Sequence, residues 1–165
     1  MSNAAGYVVV AACSLIAGAA MSARADLLVH KDMSAAIAMT LAQTAIATCT
    51  TNGYRVSVTV VGRNGEPLVQ IRGDNTGPHT MENSLRKAYT ARTFRVPSGE
   101  IAKRLKEDPA YGAVHLTNVI ATLGGLPILL GEEVIGAVGV SGAPGGEKDE
   151  VCAKAGIDKV AIEMK

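Results

Sequence analysis

Residues 124–150 read GGLPILLGEEVIGAVGVSGAPGGEKDE. Two β-branched, apolar runs, LPILL and EVIGAVGV, meet at Gly131-Glu132, so they pair as a hairpin and must be antiparallel. A glycine-dense loop, SGAPGG, then leads into a charged helix start. Such a loop has three readings: a phosphate cradle, an exposed nucleophile, or close packing. The Walker pattern GxxxxGK[ST] fails because no Ser or Thr follows Lys148. A dinucleotide fingerprint needs a βαβ unit, and the preceding strand here belongs to a hairpin. A nucleophile elbow needs G-x-S-x-G, and around Ser141 the last glycine is missing. Close packing remains, beside an anion site on the free N–H groups of the following helix. Gly136, Gly139 and Gly142 are expected to leave one face of the last strand bare, so that a helix or flat ligand approaches the backbone.

Working outward, Glu147 to Lys165 carries Val151, Ala155, Ile157 and Val160 at helical spacing. Upstream, VSVTVV (56–61) reads as a buried strand, Asn64-Gly65 as a hairpin turn, and EPLVQIR (66–72) as the partner strand. Residues 32–51 place Met33, Ile37, Leu41 and Ala45 on one helical face, with Asp32 or Ser34 as cap and Asn52-Gly53 as terminator. Thr80 is expected to cap a helix from Met81 to about Phe94. Pro97 stops that helix, and Ser98 caps a shorter one to about Glu107. Residues 108–118 stay ambiguous. The order helix, hairpin, helices, hairpin, helix predicts an α+β fold in one domain, with helices covering an antiparallel sheet.

Composition narrows the function classes. The 165 residues are 48% hydrophobic and only 3% aromatic, with a formal net charge of +1. No basic balance points to nucleic acid, and RTFR (92–95) and KRLKE (103–107) read as solvated helix faces. Residues 7–21, YVVVAACSLIAGAAM, followed by SARA, read as a signal peptide ending at Ala25. A domain of residues 26–165 would then be periplasmic or secreted, with no stable membrane insertion after cleavage. No Lys or Arg precedes the apolar run, and an uncleaved N-terminal helix is the alternative. Cys49 and Cys152 remain after cleavage. In an oxidising compartment they can pair, or they can be two separate buried side chains. Both sit on helices expected to cover one side of the sheet, so they should lie close.

The stretch GGLPILLGEEVIGAVGVSGAPGGEKDEVCAKAGIDKV, with GYRVSVTVVGRNGEPLVQIR and RKAYTARTF upstream, resembles the GlcG/HbpS-like family, which includes the C-terminal domain of PduO proteins. The resemblance covers nearly all of residues 26–165. It implies a profilin-like antiparallel sheet flanked by helices, assembly as a homo-oligomer, and haem or another tetrapyrrole as the small-molecule ligand.

A haem site needs an apolar slot, an axial ligand and partners for the propionates. His79, in the loop GDNTGPHT, is the first axial candidate, with Met81 beside it. His115, between Val114 and Leu116, reads first as a buried histidine satisfied by its surroundings and is the second axial candidate. His30 reads as solvated. Arg72, Arg86 and Lys87 can pair with propionates or simply be surface charges. No short-spaced His/Cys cluster suggests a metal, and Glu132-Glu133 reads as a turn. No paired acid–base constellation suggests an enzyme. The competing functions are an exported haem-binding protein, possessed of a role in haem or iron handling; a haem-degrading enzyme whose chemistry comes from the cofactor; and a small-molecule-sensing accessory of a membrane receptor.

Overall fold

The computed structural model describes residues 26–164, and the expected signal peptide, residues 1–25, lies outside them. The elements are α1 (Ala35–Thr51), β1 (Ser57–Val61), β2 (Pro67–Arg72), α2 (Thr80–Phe94), α3 (Ser98–Glu107), a 3-10 turn (Gly112–His115), β3 (Gly125–Leu130), β4 (Glu133–Ser141) and α4 (Gly146–Val160). The strands form one antiparallel sheet in the order β2-β1-β4-β3. This is the expected profilin-like α+β arrangement.

Alternation along β1 explains the two layers. Val58 and Val60 face α1 and α4, joining Leu41, Ala45, Val138, Val140 and Ala153 in the main core. Leu41 is fully buried, and such a side chain contributes about 1.5–3 kcal/mol. Ser57, Thr59 and Val61 point the other way, under α2, and two of these three are hydroxylic. That face is satisfied by α2 itself. Ser57 Oγ lies 2.8 Å from Thr80 Oγ1, and Thr59 Oγ1 lies 2.7 Å from Ser84 Oγ. Gln70 Nε2 donates to Thr59 Oγ1 and to the Met81 carbonyl, both at 2.9 Å. A buried hydroxyl without a partner is costly, so these contacts fix where α2 crosses the sheet.

The glycines of β4 do not share a face. Residues 136 and 139 differ by an odd number, and side chains alternate along a strand. A Cβ on Gly139 would strike Ser84 O and Ala88 N of α2, whereas one on Gly136 would meet Val61 O and Met33 Cε. Gly139 pairs across the sheet with Thr59 on one side and Gly125 on the other, and a Cβ on Gly125 would meet the Lys87 carbonyl. The bare patch is therefore a row of two glycines across adjacent strands, filled by the backbone of α2.

The expected helix caps differ in detail. Ser34 caps α1, accepting from Ile37 N at 3.3 Å. Gly53, at φ +80, sits past its end, where an αL residue closes the last turn. Thr80 and Ser98, expected as caps, are instead the first residues of their helices. Their hydroxyls serve tertiary contacts: Thr80 Oγ1 lies 2.8 Å from Ser57 Oγ on β1, and Ser98 Oγ accepts from Gly125 N at 2.9 Å. The last helix ends at Val160 rather than at Lys165.

Candidate functional site

Arg72, His79 and Met81 belong to one stretch at the N-terminal end of α2. His79 is exposed, immediately before the helix, and its ring lies over Gly77, where a Cβ would come within 2.9 Å of it. Met81 is half-buried in the first turn. Arg72, exposed on edge strand β2, donates from Nε to Thr76 Oγ1 (3.3 Å) and from Nη2 to Thr76 O (3.1 Å). Its guanidinium thus braces the 73–76 loop that carries the histidine.

Arg86 lies further along α2. It donates from Nη2 to the Val119 carbonyl at 2.8 Å and contacts Glu82 at 3.5 Å. Ile120 N donates to Thr90 Oγ1 at 2.9 Å, so the segment after the 3-10 turn is tethered along α2. His115, in that turn, is exposed rather than buried, and Leu116 beside it is 54% exposed. The 3-10 turn leaves only Ala113 facing inward, which is why an apolar neighbourhood in sequence did not produce a buried histidine. His30 is exposed, as expected.

Lys87, grouped with the surface cations by sequence, is buried. Its Nζ donates to Asp149 Oδ2 at 2.8 Å and to the Val140 carbonyl at 3.0 Å. Asp149 Oδ1 accepts from Ala143 N at 3.0 Å. Burial pushes the Asp149 carboxyl above its ordinary range, against the hydrogen bond and charge of Lys87 and the Ala143 N–H, which pull it down. This settles the SGAPGG loop. The chain's own Asp149 takes the Ala143 N–H there. A Cβ on Gly146 would meet Leu123 Cβ and O, and one on Gly142 would meet Arg55 O. The loop is a close-packed corner.

Three cavities stand out elsewhere. One, of about 270 Å³, is lined by Met33, Ile37, Leu130, Ile135 and Met164 together with Lys31 and Asp32. A second, also of about 270 Å³, is lined by Arg63, Arg92, Arg95, Glu132, Glu133 and Val134. A third, of about 160 Å³, lies at Arg55, Gly73 and Asp74. None of these three includes Arg72, His79, Met81, Arg86 or His115. The candidate haem residues therefore occupy an open surface along α2. A haem is a large apolar plate with two carboxylates. An exposed imidazole with no side-chain hydrogen bond among the described residues suits its iron, but none of these three cavities offers a slot beside it. Among the described residues no three His, Cys, Asp or Glu side chains cluster to hold a metal, and no helix is long and apolar enough to cross a membrane.

Comparison with known proteins adds the family. The chain is 36% identical over 106 residues to an uncharacterized 15.0 kDa protein from the dhaT-dhaS intergenic region of Citrobacter freundii, covering 62% of this chain and 74% of that one. A double mutant of HbpS from Streptomyces reticuli superimposes with a TM-score of 0.79 at 34% identity, covering 87% of this chain and 98% of that one. PduOC, solved as a complex with haem, shares the fold with a TM-score of 0.72 at 24% identity, covering 78% and 94%. The family described as haem-degrading protein HbpS-like matches residues 33–158, and the chain belongs to that family.

Proposed function

We propose that this protein is an exported haem- or tetrapyrrole-binding protein that works in haem or iron handling. Membership of a family described by haem carries the reading. His79 would hold the haem iron through its imidazole, with Met81 as an apolar neighbour. Arg72 and Arg86 would meet the propionates, exchanging the protein partner that each now has. When bound, haem brings redox-active iron. The chain's own part is to orient the plate and limit access of water to it. The open surface along α2 favours a homo-oligomer, in which a second copy covers the exposed face of the plate. A disulfide between Cys49 and Cys152 supports a periplasmic or secreted location, since such bonds persist in oxidising compartments.

Titration of residues 26–165 with haemin, followed by absorbance and by light scattering on a sizing column, tests this. A saturable Soret band on an oligomeric species is expected. A flat, non-saturating titration would sink the binding reading. The family's description also favours a degradative activity, and loss of that Soret band on adding a reductant under air, with release of iron, would place the protein there.

A further inference from the structure

Within RTFR, read from sequence as a solvated helix face, Thr93 and Arg95 are exposed and Arg92 is half-buried. Arg92 and Arg95 stand at the C-terminal end of α2, and Arg63 stands in the β1–β2 turn opposite them. With Glu132, Glu133 and Val134 from the β3–β4 turn they line one of the two larger cavities. Both hairpin turns and the end of α2 thus converge on one concave, polar site.

The wiring of its charges is incomplete. Arg63 Nη1 pairs with Glu133 at 2.7 Å, and Nη2 donates to the Lys31 carbonyl at 2.6 Å. That hydrogen bond, chiefly, holds the Glu133 carboxyl below its ordinary range. Among the described residues the ion pairs are Arg63–Glu133, Arg86–Glu82, Lys87–Asp149 and Lys154–Asp158, so neither Arg92 nor Arg95 is in one. Two buried side-chain polar atoms among the described residues lack a hydrogen-bond partner, Arg63 Nε and Arg92 Nε, and both belong to this cavity. A donor cut off from water and left without an acceptor is costly. Burial, then the charges of Arg95 and Arg63, pull the Arg92 guanidinium below its ordinary value, with only Glu66 acting the other way.

Three guanidiniums stand against two carboxylates in the lining, with Glu66 also acting on Arg92. The carbonyl end of α2 favours nearby cations and so accounts for part of that charge. It does not supply acceptors to the two buried Nε–H groups. A planar carboxylate or a phosphate does, because guanidinium N–H edges match their oxygens in pairs. We propose that this cavity binds a small oxyanion, a phosphate or the carboxylate of a small organic acid, through Arg63 and Arg92, with Arg95 at its rim. The site is separate from the His79 surface and does not depend on haem binding.

Calorimetric titration with inorganic phosphate and, separately, with malonate, at ionic strength fixed by sodium chloride, tests it. Saturable heat with either anion is expected, and the stronger of the two identifies the ligand class. Arg92→Gln should weaken that affinity by about tenfold or more, the scale of one lost charge-assisted contact. Arg95→Gly removes the rim charge while suiting the left-handed backbone there, φ +59, and should weaken it too, so the test survives if Arg92→Gln fails to fold. Lys154→Gln, on exposed α4, should leave it unchanged. Absence of saturable heat with both anions, or an affinity unchanged from the natural chain in both Arg92→Gln and Arg95→Gly, overturns the proposal.

Discussion

Lys87 Nζ lies 2.8 Å from Asp149 Oδ2, with both side chains almost wholly buried, and so ties α2 to α4 around the edge of the sheet. Removing one partner of a buried pair leaves the other stranded. Lys87→Met is expected to cost about 3–5 kcal/mol, measured by urea denaturation. The double variant Lys87→Met/Asp149→Leu should cost less than the two single changes summed. Strict additivity would show that the two groups do not interact.

The same pair has a pH signature. The Asp149 carboxyl is raised by burial in the fold, so the folded chain holds that proton to higher pH than the unfolded chain does. Its contribution to stability is then fully present below the ordinary carboxyl value and is lost as pH rises through the raised one. The stability difference between the natural chain and Asp149→Asn should therefore shrink as pH climbs through that window. A difference that grows with pH would mean that attraction to Lys87 outweighs burial.

Gly139 faces the backbone of α2 and has no room for a side chain. Gly139→Val must displace the helix, and a cost of at least about 1–3 kcal/mol is expected, as for overpacking. Gly112 has open space and an ordinary backbone, so Gly112→Ala should stay within about 0.5 kcal/mol of the natural chain. An unchanged melting temperature for Gly139→Val would contradict the contact with Ser84 and Ala88.

Local patterns were legible and distant ones were not. Both hairpins, the αL terminus at Gly53 and the helix-rich flanks follow from short-range chemistry, and the sequence order of elements matches. Lys87 and Asp149 are 62 positions apart, and nothing near either one marks it as buried. Lys87 looks like any cation of RKAYTARTF until α2 is laid across the Gly125–Gly139 row. The hydroxyls of Thr80 and Ser98 carried a cap signal, but tertiary partners claimed them. For the candidate haem residues, sequence supplied residue types. Their open placement along α2 depends on how the 112–120 segment is tethered to Arg86 and Thr90, which no local motif encodes.

Cys49 and Cys152 form a disulfide joining α1 to α4, with Cα atoms 5.5 Å apart and a sequence separation of 103. It closes a long loop, and removing such a bond costs roughly 2–5 kcal/mol. Protein recovered from an oxidising compartment should show no free thiol from these two residues until reductant is added under denaturing conditions. Cys49→Ala/Cys152→Ala should lower the denaturation midpoint accordingly. Two free thiols in exported protein would refute the bond.

The last prediction separates the two histidines. His79 is exposed on a loop braced by Arg72 through Thr76 and stands immediately before α2. Among the described residues its imidazole makes no side-chain hydrogen bond that metal ligation would have to break, and a neutral imidazole is a good iron ligand. His115 is also exposed, in a 3-10 turn that is held to α2 before it by Tyr111 against Phe94 and after it at Val119 and Ile120, with no contact to α2 from the histidine's own neighbours Val114 and Leu116 among those bonds. Ordering a loop that is already braced adds less entropy cost on binding, and the Arg72–Thr76 contacts brace the loop of His79 directly. His79→Ala is expected to weaken haemin affinity about tenfold or more and to shift the Soret maximum, the scale of one lost ligand contact. His115→Ala should leave both nearly unchanged, and neither variant should alter the melting temperature of the haem-free protein by much, because both side chains are exposed. An unchanged spectrum and affinity in His79→Ala, with a shift in His115→Ala, would move the axial ligand to the 3-10 turn.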